Sequence, residues 1–199
     1  MSTTALPWFG RSLLVAAATF ASACSNESPV APVSGVLKGG VATVADVSDG
    51  NRLPDLTACP TLAAPVGSTL VLRAFGIGVQ IYHWNGTSWG VATPSATLYA
   101  DAGGDGQVAT HFAGPSWQSN SGSKVVGTVI NRCTPDAASI AWLSLSAVPT
   151  GDGIFASVTF IQRLNTVGGN APSVAGTVIG QEARVPYTAD YLFYVVPSA

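Results

Sequence analysis

The sequence predicts an all-β fold, a single-domain antiparallel β-sandwich or small β-barrel with Gly-rich loops. Two observations carry this. Apolar and polar residues alternate with period two in several short windows, as strands with one buried face require. Turn residues (Gly, Asn and Asp) punctuate the chain between those windows. No window adds the sustained 3.6-residue period and end caps of a helix.

Taken in chain order, Pro60 to Pro65 holds at most one short turn. Leu70, Leu72 and Ala74 then alternate with Thr69, Val71 and Arg73. Asn85-Gly86 sits between Gln80–Trp84 and Trp89–Ala92, a strong hairpin signal because both residues tolerate turn conformations. Val108, Thr110 and Phe112 share one strand face and leave Gln107, Ala109 and His111 on the other. Val125 to Ile130 is rich in β-branched residues. Leu143, Leu145 and Ala147 alternate with Trp142, Ser144 and Ser146, and Ala156, Val158 and Phe160 with Ser157 and Thr159. Tyr191 to Val196 is apolar on both faces and reads as a central strand. Gly-rich breaks at residues 101–106, 150–153 and 167–170 separate these windows. Roughly eight to ten strands follow. Several are too short, or too apolar on both faces, for the ~10-residue alternating strands of a membrane barrel.

The amino terminus reads as an export signal. Met1 to Arg11 is weakly basic, Ser12 to Ala23 is apolar, and the small residues Ala21-Ser22-Ala23 precede Cys24. Residues 1–23 are therefore expected to be removed. The same tripeptide before Cys24 resembles a lipoprotein box, although Ala21 stands where Leu is usual, and it also suits ordinary signal cleavage. Ser25 to Pro32 is polar and contains proline, a tether that holds a domain off a membrane. Residues 24–35 are assigned to this tether and 36–199 to one β-rich domain. The expected location is the outer membrane or periplasm, anchored by lipid at Cys24, with a secreted soluble protein as the alternative.

Cys59 and Cys133 remain, and an oxidising compartment would pair them. Beyond residue 23 the chain carries seven basic against ten acidic side chains, and only 9% of all residues are charged, against ~25% in ordinary domains. That excludes a basic nucleic-acid surface. With 47% apolar residues the chain is not disordered.

A succession of blocks carries a family resemblance. It runs from Gly78-Val79-Gln80-Ile81-Tyr82 through His111-Phe112-Ala113-Gly114-Pro115-Ser116-Trp117, Ser121-Gly122-Ser123 and Ile140-Ala141-Trp142-Leu143. Ile161-Gln162-Arg163-Leu164-Asn165-Thr166, Gly168-Gly169-Asn170-Ala171-Pro172 and Val185-Pro186-Tyr187-Thr188-Ala189-Asp190-Tyr191 complete it. Over about Leu70 to Tyr194 the chain resembles the domain of unknown function 3455 family of secreted bacterial and fungal proteins. The resemblance implies no activity. Relatives tend to carry a Cys two residues after the Tyr of the first block and another shortly after the Ala-Pro. Trp84 and, near the second, Gly176 stand there instead, which suggests a cross-link lost as a pair. Some relatives carry a malate dehydrogenase label. Gly76-Ile77-Gly78 lacks the third glycine and following helix of a dinucleotide site, so that label is rejected here.

The ligand-binding candidates are His111, Trp117, Gln80, Tyr82, Gln162 and Arg163. A His beside an aromatic platform can transfer protons or orient a polar ligand, and equally can fasten a loop to the sheet. Arg163 can meet a carboxylate or phosphate, or pair with an acidic residue that locks its loop. His83 and His111 are the only histidines and no cysteines have ligand spacing, so no metal and no cofactor are expected. No Gly-x-Ser-x-Gly elbow is present, and Asp101, Asp105 and Asp152 sit in turns that Asp favours for backbone reasons. The leading expectation is a non-catalytic binding or structural module of the cell envelope, with a glycan or other small polar ligand as possible partner. The alternative is an envelope hydrolase or lyase using His111 as general acid and base.

Overall fold

Eight antiparallel strands close into a barrel in the computed structural model, which describes residues 54–198. They are β1 (Thr69–His83), β2 (Thr93–Tyr99), β3 (Gln107–Phe112), β4 (Ser116–Ser119), β5 (Lys124–Cys133), β6 (Trp142–Thr150), β7 (Phe160–Gly168) and β8 (Glu182–Val195). Each strand pairs with its successor, and β8 returns to β1, an up-and-down barrel without a free sheet edge. The signal segment, Cys24 and the tether lie outside the described residues. Among the described residues no helix is long and apolar enough to cross a membrane.

Period-two alternation places the core. Ala74, Gly76, Gln80 and Tyr82 of β1 are buried, while Arg73, Ile77 and His83 are exposed. One half of the interior is packed solid by Trp117, Tyr191, Phe193, Leu98, Leu145 and Phe155. Closure at this bore needs small residues where strands approach. A Cβ on Gly78 would lie 2.3 Å from the Ser95 carbonyl oxygen and 2.4 Å from Ala96 Cα, so only glycine fits.

The chain departs from the expected pattern in one strand. Residues 154–157 form a turn, and β7 starts only at Phe160. Ala156 is exposed, and Phe155 and Val158, three apart, seal that end of the barrel instead. The Phe155 amide donates to Ser123 Oγ at 3.0 Å and fixes the plug.

The doubly apolar reading of β8 has a clear cause. Its inner face joins the barrel core, while Leu192 and Tyr194 face a second cluster outside the barrel. There the segment before β1, including a 3-10 turn at Pro60–Leu62, lies over Phe160, Leu164, Leu192 and Tyr194. The Cys59–Cys133 disulfide staples this segment to the end of β5, across 74 residues of sequence. A disulfide and the lack of a spanning helix among the described residues are compatible with an exported protein.

Trp84 and Gly176, the two positions where the family resemblance leads one to look for cysteines, lie against each other. A Cβ on Gly176 would sit 2.4 Å from Trp84 Cγ. Trp89 packs edge-on to Trp84 and donates its indole N–H to the Val174 carbonyl at 2.9 Å. Aromatic packing thus ties the 174–181 loop to the β1–β2 hairpin.

Candidate functional site

The packed half of the barrel stops short of one mouth. Between them lies a pocket of about 600 Å³ lined by Gln80, Tyr82, His111, Arg132 and Arg163 together with aliphatic side chains. That volume lies within the range of small-molecule sites, and an eight-stranded barrel is about wide enough to hold one small ligand.

Strand register explains how these residues meet. On β1, Gln80 and Tyr82 share the inward parity set by Ala74. On β3, His111 pairs with Ala96 of β2 and Trp117 of β4. The His111 and Trp117 rings stack at 4.4 Å between centroids with planes 6° apart. Tyr191 meets both rings edge-on, at 5.2 and 5.7 Å. Trp117 therefore belongs to the core, and His111 is the layer above it, facing the pocket.

Two arginines lie on one row. Arg132 of β5 and Arg163 of β7 both pair with Leu143 of β6, and Arg163 pairs onward with Tyr191 of β8. Arg163 donates through one terminal nitrogen to the Ala141 carbonyl at 2.8 Å. Its Nε has no partner among the described residues, nor has the amide nitrogen of Gln80. Among the described residues no acidic side chain pairs with Arg163. The ion pairs among the described residues are Arg73–Asp190 at 3.3 Å and Arg184–Glu182 at 3.1 Å, and none of the four lines the pocket.

The ionisation states follow from burial. His111 is 3% exposed, and loss of water pushes its pKa down to about 3, with Arg163 adding to the effect. Its Nδ1 lies 2.9 Å from the Ser116 carbonyl oxygen, which can only accept, so Nδ1 carries the proton of a neutral ring and Nε2 is left as an acceptor. Such an imidazole is uncharged near neutrality. Burial also raises the pKa of Tyr82, whose hydroxyl donates to the Gly169 carbonyl at 2.7 Å. Tyr187 and Tyr191, joined by a 3.0 Å hydroxyl contact, are raised by burial as well and stay protonated.

Five of the six sequence candidates fall in or beneath this pocket: Gln80, Tyr82, His111 and Arg163 line it, and Trp117 supports it. Gln162 does not share it. As neighbour of Arg163 on β7 it faces outward, where its amide donates to the Leu62 carbonyl at 2.7 Å and accepts from the Tyr194 hydroxyl at 3.0 Å. Its role there is to hold the stapled segment against the barrel. Arg132 escaped sequence reading because β5 changes parity. A bulge between Val129 and Asn131 shifts the register and brings Arg132, not Asn131, opposite inward-facing Leu143.

Fold and site define a class: a closed eight-stranded up-and-down barrel, half filled, with a polar pocket at one mouth. Within that class the chain belongs to the family described as Protein of unknown function (DUF3455), whose model matches residues 65–195. Neither the curated proteins nor the solved structures contain a match.

Proposed function

We propose that this protein is a non-catalytic binding module of the cell envelope, which takes a small polar ligand into the pocket at the barrel mouth. The observation that carries the reading is the Gln80 amide. It is 3% exposed, lines the pocket, and its nitrogen has no partner among the described residues. A buried donor of this kind costs about 1–3 kcal/mol unless an acceptor reaches it, and the pocket gives a ligand's acceptor a route to it. The neutral, proton-holding state of His111 supports binding over acid–base catalysis. The amino-terminal pattern before Cys24 supports export and lipid anchoring, with the 24–35 tether holding the barrel off the membrane.

A thermal-shift screen of the chain from residue 24 against envelope glycans, peptidoglycan fragments, lipids and small carboxylates tests this. Ala113→Trp, which fills the exposed rim of the pocket, serves as the comparison. A ligand at a hundredfold excess over its Kd stabilises the native state by about 2.7 kcal/mol. The reading requires a shift in the wild type that the rim variant loses. Turnover of a substrate, abolished by His111→Ala in a folded protein, would sink it.

A further inference from the structure

Resting on that pocket reading, we infer that the ligand is a small anion, an oxyanion head carried on an apolar body. The pocket offers unpartnered donors and positive charge, with no carboxylate among its described residues to offset them. Arg132 and Arg163 both line it, and no described residue lining it is an Asp or Glu. Arg163 is anchored through one terminal nitrogen to the Ala141 carbonyl, which leaves its Nε edge unpartnered. The Gln80 amide nitrogen adds a second unpartnered donor. A guanidinium pairs best with a planar two-oxygen acceptor.

Register sets the arrangement. Arg132 and Arg163 stand on either side of Leu143, two strands apart, so their backbones are about 10 Å from each other. Side chains of that length can converge on one head group. Beside Thr93 and Asn170 the wall carries Pro94, Val129, Ile140 and Leu143, an apolar surface that a hydrocarbon or aromatic body would fill. A cation would meet two like charges with no carboxylate to offset them.

Calorimetric titration of the chain from residue 24 with benzoate, phenyl phosphate, benzamide and benzylamine separates the possibilities. Benzoate or phenyl phosphate is expected to bind at least tenfold more tightly than benzamide, and benzylamine not to bind. The better of the two anions identifies the head group. Arg163→Gln is expected to remove the preference for the anion, and Arg163→Lys to keep part of it. Should Arg163→Gln fail to fold, Arg132→Gln, at the exposed mouth, supplies the same readout. Benzamide binding as tightly as benzoate, or an anion preference untouched in both glutamine variants, overturns the charge inference and leaves the pocket reading standing. If none of the four probes binds, both fall.

Discussion

His111 and Trp117 face each other across the β3–β4 hairpin with parallel rings 4.4 Å apart, and the stack joins the packed half of the barrel to the pocket above it. Trp117 is 1% exposed, so the imidazole rests on a fully dehydrated surface and its charged form is disfavoured.

This makes His111 an acid-sensitive element. Its pKa falls from 6.5 in the unfolded chain to about 3 in the fold, so between those values the unfolded state binds the extra proton. The contribution is fully present above about pH 6.5 and is lost as pH falls towards 3, at a limiting rate of about 1.4 kcal/mol per unit. Urea denaturation at pH 7, 6, 5 and 4 is expected to trace that slope. His111→Gln should be less stable at pH 7 yet show a shallower decline; an equally steep decline would assign the acid sensitivity elsewhere.

The staple is expected to stabilise through the unfolded chain. Closing a loop of 74 residues is worth about 4 kcal/mol in the chain-entropy account. Cys59→Ser with Cys133→Ser should lower the melting temperature and speed proteolysis within residues 54–68. An unchanged melting temperature would mean that the outer apolar cluster holds the segment unaided.

Gly78 is a steric requirement. A Cβ there meets backbone of β2 at 2.3–2.4 Å, and backbone cannot rotate away. Gly78→Ala is expected to cost about 3 kcal/mol or more in chemical denaturation, whereas Gly122→Ala, with open space around it but φ +91°, should cost only the backbone term of about 1 kcal/mol.

Asn165 has φ +50° at the β7 bulge and donates to Asp190 Oδ2 at 2.8 Å. Asp190 also receives Arg73. Asn165→Ala loses both the bond and the residue type suited to the left-handed region, at about 1–2 kcal/mol. Asn165→Gly keeps the backbone freedom and should cost less. Equal losses would assign the whole effect to the hydrogen bond.

The strands were legible where one face meets the core and the other meets water, as in β3, where Ala109 and His111 are buried and Thr110 between them is exposed. They were less so where a second layer covers the outside. Gln162 and Arg163 looked like one polar pair in sequence, but pleating sends them to opposite faces, Gln162 to the stapled segment and Arg163 to the pocket. Phe155 and Val158 kept strand-like composition while forming a plug, because the barrel end selected for apolar bulk and not for alternation. The His111–Trp117 neighbourhood followed from a short hairpin, a local property. Closure of β8 onto β1 and the joining of Arg132 to Arg163 depend on bulges and long-range register, which no local window encodes.

Amide chemical-shift perturbation on the isotope-labelled chain, titrated with benzoate, tests the central claim most directly. The account predicts saturable shifts concentrated at Gln80, Tyr82, His111, Arg132, Ala141 and Arg163, absent in Ala113→Trp. Shifts confined to the outer face of the barrel, or undiminished in Ala113→Trp, would contradict a ligand site at the barrel mouth.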